Sequence, residues 1–112
     1  LYTEAAEQGL ADGQYTIGDI YMTGNGSAHD EEKAARLFTK AAKQGLAVAQ
    51  YALGSCFERG AGVVQDDEEA VKLCTQAVEQ GFAPAQLQLG SYHAKGKGGL
   101  AQNDEEAVKL YR

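Results

Sequence analysis

A repeat of 36 residues constrains this 112-residue chain more than any other feature of its sequence. Two landmarks share that interval, the dipeptide Gln-Gly and an aliphatic residue followed by glycine. They occur at Gln8-Gly9, Gln44-Gly45, Gln80-Gly81, Ile17-Gly18, Leu53-Gly54 and Leu89-Gly90. Acidic clusters ending in alanine recur as well, at residues 30–34, 67–70 and 104–107. Such self-similarity is typical of repeat proteins, in which each unit buries its apolar surface only against its neighbours.

Each unit of the repeat predicts two helices. The first helix of the second unit is predicted over residues 31–44, because its polar side chains fall on one arc of a helix with 3.6 residues per turn. The second helix is predicted over residues 48–59 and ends at Gly60. The apolar side of the first helix is too wide for a single partner helix. The predicted fold class is therefore all-α, an α-solenoid of antiparallel two-helix repeats.

Residues at the ends of these helices have the expected capping chemistry. Asp30, Asp66 and Asn103 stand where an N-cap oxygen would accept the free N–H groups of a first turn. Gly45 and Gly81 stand where a first helix would end in the left-handed conformation that glycine adopts most readily. These signals predict helix starts and stops that recur with the repeat.

Glycine also recurs in the middle of the second helices, at Gly18, Gly54 and Gly90. Glycine inside a helix costs about 1 kcal/mol relative to alanine. Its recurrence predicts a close approach by a neighbouring helix that leaves no space for a Cβ atom. In the third unit Pro84 is predicted near the start of the second helix, where its missing N–H costs nothing.

The repeat divides the chain into one set of tandem units. The predicted segments are a partial repeat at 1–29, complete repeats at 30–65 and 66–102, and the start of a further repeat at 103–112. Residues 104–109 followed by residues 1–9 together have the sequence pattern of one complete first helix. The chain is therefore interpreted as a piece of a longer array, with head-to-tail stacking of copies as the alternative.

Charge and composition exclude several classes of protein. The chain has 16 acidic and 10 basic residues, and its net charge of −6 argues against a general nucleic-acid-binding surface. Its longest apolar runs are only a few residues, so no membrane span is predicted. Its two cysteines are too few for a disulfide scaffold.

Three stretches together resemble the Sel-1-like repeat, a relative of the tetratricopeptide repeat. They are Lys33–Gly45 (KAARLFTKAAKQG), Ala49–Gly54 (AQYALG) and Gly60–Asp66 (GAGVVQD). The resemblance implies a superhelix of helix pairs whose first helices line a concave surface. It also implies a non-enzymatic scaffold or adaptor that binds a protein or peptide on that surface.

The first helix of the second unit carries a row of four basic residues spaced three or four apart. If the resemblance places first helices on the concave surface, this row forms a basic ridge that suits an acidic protein or peptide. The alternative is a solvated face, in which the last lysines only suit the helix C-terminus. With their counterparts in the third unit, the candidate binding residues are Lys33, Arg36, Lys40, Lys43, Glu69, Lys72 and Gln76.

No pattern of residues predicts a metal or cofactor site. The acidic clusters at 30–32, 66–69 and 104–106 lack the alternating spacing of a calcium loop, and they suit the positive ends of helices. His29 is predicted in a surface loop. His93 occupies a slot that is aromatic in the other units, so it is predicted to be a packed, hydrogen-bonded ring rather than a metal ligand.

Side chains that could act as nucleophiles are scattered. Cys56 and Cys74 replace apolar residues of other units, which predicts buried reduced thiols, with a disulfide between them as the alternative. Ser55, Ser91 and His93 show no triad arrangement, so no catalytic residue is predicted. A cysteine-rich branch of the resembled family implies a β-lactam-binding hydrolase as an alternative function. This chain lacks the closely paired cysteines of that branch.

Overall fold

Five helices follow one another in the structure, a computed structural model that describes the backbone of residues 2–24 and 28–97 and the side chains of residues 9–24 and 30–97. They are α1 (Tyr2–Gly24), α2 (Ala28–Lys43), α3 (Ala47–Arg59), α4 (Asp67–Glu79) and α5 (Ala83–Lys95). Consecutive helices pack against each other. The molecule measures 41 × 37 × 19 Å, and its shortest dimension matches about two helix diameters. The predicted all-α solenoid is confirmed.

The two Gln-Gly turns after α2 and α4 have the same geometry. Gly45 and Gly81 adopt φ angles of 90° and 79°, as predicted. The N–H groups of Leu46 and Phe82, the next residues, donate to the carbonyl groups of Ala41 and Ala77 at 3.3 and 3.2 Å. Each turn therefore closes the preceding helix and starts the following one.

At Gly9 the repeat pattern fails, because α1 continues through the first Gln-Gly dipeptide without a turn. Leu46 packs against the core after its turn, whereas the equivalent Leu10 is mostly exposed to solvent. Without a turn at Gly9, Leu10 stays on the side of a continuous helix, where none of the described residues buries it.

The helix starts show one correct and one wrong capping prediction. Asp66 is the N-cap of α4, and its Oδ1 accepts a hydrogen bond from the N–H of Glu69 at 3.2 Å. Asp30 is not an N-cap, because α2 begins two residues earlier at Ala28. Alanine is the strongest helix former and an acid is still favourable inside the first turn, so the helix extends past the aspartate. His29 consequently lies in α2 rather than in a loop, and Asn103 lies outside the described residues.

The core is continuous along the stack of helices. One cluster joins α1, α2 and α3 with Leu73 of α4, and a second joins α4 and α5, while Phe57 of α3 packs against both. Pro84 lies in the first turn of α5 as predicted. Among the described residues, no helix is both long enough and apolar enough to cross a lipid bilayer.

The predicted close approaches at the mid-helix glycines are confirmed at two positions. A Cβ atom on Gly18 would lie 2.9 Å from Cε1 of Phe38, and one on Gly54 would lie 3.3 Å from the carbonyl oxygen of Ala70. Each glycine lets a second helix pack closely on the first helix of the following unit. Gly90 is buried as well.

Candidate functional site

A groove of about 400 Å³ lies between α2 and α4, with α3 as its floor. We call it the α2–α4 groove. Both walls are first helices of their units, and the floor is a second helix. The groove is lined by Thr39, Ala42, Lys43, Gly45, Gln50, Leu53, Phe57, Glu69, Leu73 and Gln76.

The bottom of the groove is apolar and its rim is polar. Leu53 and Phe57 of the floor and Leu73 at the base of the α4 wall are buried or half-buried, so the bottom of the groove can receive an apolar side chain of a ligand. Lys43 on one wall and Gln76 on the other are exposed and reach solvent. An apolar pocket with a few polar groups around it is the usual form of a binding site.

Gln50 is the buried polar residue of the groove, with only 7% of its surface exposed. Its Oε1 accepts a hydrogen bond from Nε2 of Gln80 at 2.9 Å, and its Nε2 donates to the carbonyl of Ala42 at 3.5 Å. The side chain thus links α2, α3 and the end of α4. An equivalent bond of 2.9 Å joins Nε2 of Gln44 to Oε1 of Gln14, one repeat earlier.

Sequence reasoning missed this pair of glutamines. The signal was present, because Gln14, Gln50 and Gln86 are separated by the same 36 residues as the Gln-Gly dipeptides. A polar residue that recurs with the period of a buried core needs a partner, since an unpaired buried amide is costly.

The structure brings together three of the seven predicted binding residues. Lys43 of α2 and Glu69 and Gln76 of α4 line the α2–α4 groove. Of the basic row on α2, only Lys43 belongs to that lining, and the acidic residue Glu69 belongs to the other wall. The electrostatic character of the groove is therefore mixed.

The other four predicted residues lie outside the lining of the groove. Arg36, Lys40 and Lys72 are exposed. The Nζ of Lys33 lies 5.3 Å from the centre of the Tyr21 ring, a cation–π contact with α1. That contact holds Lys33 against the preceding helix.

The acidic clusters lie at helix starts, as predicted. Asp30 and Glu31 are in the first turn of α2, and Asp67, Glu68 and Glu69 are in the first turn of α4. Carboxylates there are stabilised by the positive end of the helix dipole. The third cluster lies outside the described residues. Within the described part of the chain, no group of three or more His, Cys, Asp and Glu side chains is arranged to hold a metal ion.

His93 differs from its prediction. The ring packs into a half-buried position on α5, but its Nδ1 is buried and has no hydrogen-bond partner among the described residues. The prediction of a packed ring was correct. The predicted hydrogen bond is absent at Nδ1 among the described residues. The aromatic slot of the repeat explains both results, since its surroundings are shaped for an apolar ring.

Both cysteines are free and buried, which confirms the prediction of reduced thiols. They belong to different core clusters, and Sγ of Cys74 donates a hydrogen bond to the carbonyl of Ala85 at 3.1 Å. Burial raises the pKa of each thiol from its ordinary value of 9.0 to about 11. Neither thiol is activated as a nucleophile, because nucleophilic cysteines need a lowered pKa.

These pKa values predict how stability changes with pH. In the unfolded chain the thiols lose their protons near pH 9, whereas in the folded chain they keep them until about pH 11. The contribution of the two thiols to the free energy of unfolding should therefore be constant below about pH 9, and it should fall as the pH rises from 9 to 11. Urea unfolding at intervals between pH 7 and pH 11 measures this fall.

The matched control for that measurement is the double variant Cys56→Ala/Cys74→Ala, in which the fall should be smaller. Some decline should remain above pH 10, because burial, assisted by the charge of Glu58, also raises the pKa of Tyr92 above its ordinary value of 10.0. An identical fall in the double variant would show that the thiols do not contribute.

Comparison with known proteins gives a consistent result. The Sel1 repeat family matches residues 11–46, 47–82 and 83–112. A Sel1 repeat protein from Oxalobacter formigenes is 37% identical over 91% of this chain and 42% of its own, with a TM-score of 0.81. The protein c5321, a protective antigen present in uropathogenic Escherichia coli strains and displaying an SLR fold, is 36% identical over 96% of this chain and 23% of its own, with a TM-score of 0.84.

A third solved structure shares the fold at lower identity. Cysteine rich protein B of Helicobacter pylori is 22% identical over 88% of this chain and 79% of its own, with a TM-score of 0.69. No curated protein matches the chain. The chain spans less than half the length of the two more similar structures.

Sel1 repeat proteins are helical-repeat scaffolds that generally serve as protein-interaction modules and are generally not enzymes. The family match covers residues 11–112, and the five helices have the architecture that the match requires. The resemblance noted in the sequence is confirmed, and this chain belongs to the Sel1 repeat family.

Proposed function

We propose that this chain is a non-enzymatic scaffold that binds a peptide or an extended protein segment in the α2–α4 groove. The observation that carries the proposal is the composition of the groove, an apolar floor with polar side chains on both walls. Family membership agrees with such a role, because Sel1 repeats generally mediate protein interactions.

The floor of the groove would hold an apolar side chain of the ligand. Leu53, Phe57 and Leu73 come from α3 and α4 and offer apolar surface at the bottom of the groove. Burying one aliphatic or aromatic side chain there would supply about 1.5–3 kcal/mol. An anchor of this kind is the usual main contributor to peptide affinity.

The walls of the groove could satisfy the backbone of such a peptide. The hydroxyl of Thr39 donates to the carbonyl of Ala35 at 2.7 Å, so its oxygen is left to accept a hydrogen bond from a ligand N–H. The amide of Gln76 on the opposite wall can donate and accept. A bound peptide needs both a hydrogen-bond donor and an acceptor, since each of its residues carries one backbone N–H and one C=O group.

Charge would decide which wall of the groove an acidic side chain of the ligand approaches. Lys43 lines the wall formed by α2, and Arg36 and Lys40 continue the basic row on the exposed side of that helix. Glu69 lines the opposite wall. An acidic residue of the ligand is therefore favoured towards α2 and disfavoured towards α4.

A random peptide library displayed on phage tests this proposal with the chain as bait. We expect the selected peptides to share one apolar residue near Asp or Glu. The best of them should bind Lys43→Glu about tenfold more weakly, a change of about 1.4 kcal/mol. Arg36→Glu/Lys40→Glu should also weaken binding while its helix content, followed by circular dichroism, stays the same.

The control is Lys95→Glu, which reverses an exposed lysine at the end of α5 outside the groove. It should bind the selected peptide like the unmodified chain. Equal affinity for all the variants would refute the groove as the site. Unchanged affinity of Arg36→Glu/Lys40→Glu alone would remove the basic row from the proposal.

A further inference from the structure

A second cavity, of about 340 Å³, lies where α1 and the two Gln-Gly turns meet. We call it the turn pocket. It is separate from the α2–α4 groove, because only Gly45 lines both cavities. Its volume is within the range of small-ligand sites, about 300–1,000 Å³. The turn pocket is lined by Ala11, Asp12, Gln44, Gly45, Leu46, Ala47, Val48, Gln80 and Phe82.

Two side-chain amides of the turn pocket offer hydrogen-bond acceptors. Gln44 uses its Nε2 to donate to Oε1 of Gln14 and to the carbonyl of Lys40, at 2.9 and 3.2 Å. Gln80 uses its Nε2 to donate to Oε1 of Gln50 at 2.9 Å. None of the described residues donates to the Oε1 of either Gln44 or Gln80. Both oxygens are therefore available to a ligand that carries N–H donors.

Asp12 adds a negative charge to these acceptors. Its side chain is exposed, and it forms no ion pair with any described residue. Of the described residues that line the turn pocket, none is basic. The repeat does not account for this acid, because the equivalent residues of the next two units are Val48 and Pro84.

The ends of the neighbouring helices leave this charge in place. Each Gln-Gly turn brings the negative C-terminal end of one helix next to the positive N-terminal end of the following helix. Each end carries about half an elementary charge, so the two ends at a turn offset each other. The charge of Asp12 remains, and it favours a cation as the ligand of the turn pocket.

The apolar lining decides which kind of cation fits. Leu46, Val48 and Phe82 are each half-buried, so each keeps some surface for a ligand. The aliphatic stems of arginine and lysine pack along such surface while their charged ends stay with polar groups. A guanidinium group also stacks on aromatic rings and has five N–H donors, whereas an ammonium group is a strongly hydrated point charge. An aromatic ring together with several separate acceptors therefore favours arginine.

We propose that the turn pocket binds an arginine side chain of a partner protein. The guanidinium group pairs with Asp12 and donates to the amide oxygens of Gln44 and Gln80. Its aliphatic stem packs against Leu46 and Val48. Asp12, Gln44 and Gln80 are all exposed, so a side chain of another protein can reach them. The proposal is independent of the function proposed above, because the α2–α4 groove favours an acidic residue at a different place.

The probe is the tripeptide Gly-Arg-Gly, acetylated and amidated at its ends so that the guanidinium group is its only charge. Proton–nitrogen NMR spectra of the whole chain follow the titration through the backbone N–H of Asp12 and the side-chain amides of Gln44 and Gln80. We expect saturable shifts at these signals with a Kd of about 1 mM. Binding should be about fivefold weaker for Asp12→Asn, the loss expected for an exposed ion pair of favourable geometry. Replacing arginine by citrulline, which has its shape without its charge, should weaken binding about as much.

Asp19→Asn is the matched control, because Asp19 is also an exposed acid of α1 and lies outside the turn pocket. The backbone settings match as well, since the carbonyls of Asp12 and Asp19 each accept a hydrogen bond of 2.8 Å from a threonine four residues later. Asp19→Asn should bind Gly-Arg-Gly like the unmodified chain. A peptide selected for the α2–α4 groove should bind Asp12→Asn unchanged, which keeps the two proposals distinguishable.

The proposal is overturned if Gly-Arg-Gly causes no saturable shifts at the turn pocket, if Asp12→Asn and Asp19→Asn bind it equally, or if the citrulline peptide binds as well. Equal or tighter binding of Gly-Lys-Gly would overturn the choice of arginine in favour of any organic cation. Tighter binding of free arginine than of the peptide would overturn the partner protein in favour of a small molecule.

Discussion

Replacing Gly62 by alanine is expected to lower the free energy of unfolding by about 2–5 kcal/mol, from left-handed strain and steric overlap together. Gly62 lies in the loop between α3 and α4 with a φ angle of 76°. An added Cβ atom would overlap the carbonyl group of Glu31 in the first turn of α2. The atoms in the way belong to the backbone of α2, so no side-chain rotation can relieve the overlap.

Gly45→Ala is the control that separates the two causes. Gly45 has a φ angle of 90°, but a Cβ atom there would meet no atom within 4 Å. Only the left-handed strain applies, which costs about 1–2 kcal/mol. Urea unfolding of both variants measures the difference, and equal losses would mean that the loop does not press against α2. A larger loss at Gly62 would show that this loop ties α3 and α4 to the start of α2.

Replacing Phe38 by alanine is expected to cost about 3–5 kcal/mol, because the cavity left by a buried aromatic ring cannot close fully. The ring is 2% exposed, and its centre lies 5.6 Å from that of Tyr15 on α1. It also occupies the space that a Cβ atom on Gly18 would need. Phe38 therefore joins α1 to α2 and, through the same core cluster, to α3.

The measurement is again urea unfolding, with Leu87→Ala as an exposed control that should change stability by about 0.5 kcal/mol or less. A double-mutant cycle with Gly18→Ala adds a specific test of the contact. Gly18→Ala should destabilise the unmodified chain, and it should cost less in Phe38→Ala, where the ring is gone and the Ala34 carbonyl oxygen at 3.3 Å remains. An effect of Gly18→Ala that is the same in both backgrounds would contradict this packing.

Most of the fold could be predicted because its signals are local. Gly45, Gly60 and Gly81 end helices or form turns through the left-handed conformation that glycine allows. Asp66 caps α4 through its own side chain. The predicted bounds of the helices in the second unit differ from the observed ones by at most three residues.

The continuity of α1 could not be predicted in this way. Gln8-Gly9 has the same letters as the two dipeptides that form turns, and Leu10 has the same aliphatic character as Leu46. A turn there would need a core for the residue that follows glycine, and none of the described neighbours provides one for Leu10. The outcome depends on packing, which the local sequence does not contain.

The candidate site was also predicted in part from the sequence and decided in part by packing. The spacing of Lys43, Glu69 and Gln76 placed them on exposed sides of two first helices, and the structure brings all three to one groove. Lys33 belongs to the same basic row but lies over Tyr21, because α1 packs beside that part of α2. The sequence signals Gln50 by its recurrence every 36 residues, but only the structure places it in the groove with a hydrogen bond from Gln80.

By itself the sequence determined the period of the repeat, the helical class and the family. Helix propensity, capping and glycine turns each act over a few residues, so their signals recur in the sequence with every unit. Tertiary structure alone decided which apolar faces are covered, which basic residues reach the groove and where a Gln-Gly dipeptide fails to turn. Those outcomes depend on contacts between helices, and each contact forms only where a neighbouring helix supplies the surface to pack against.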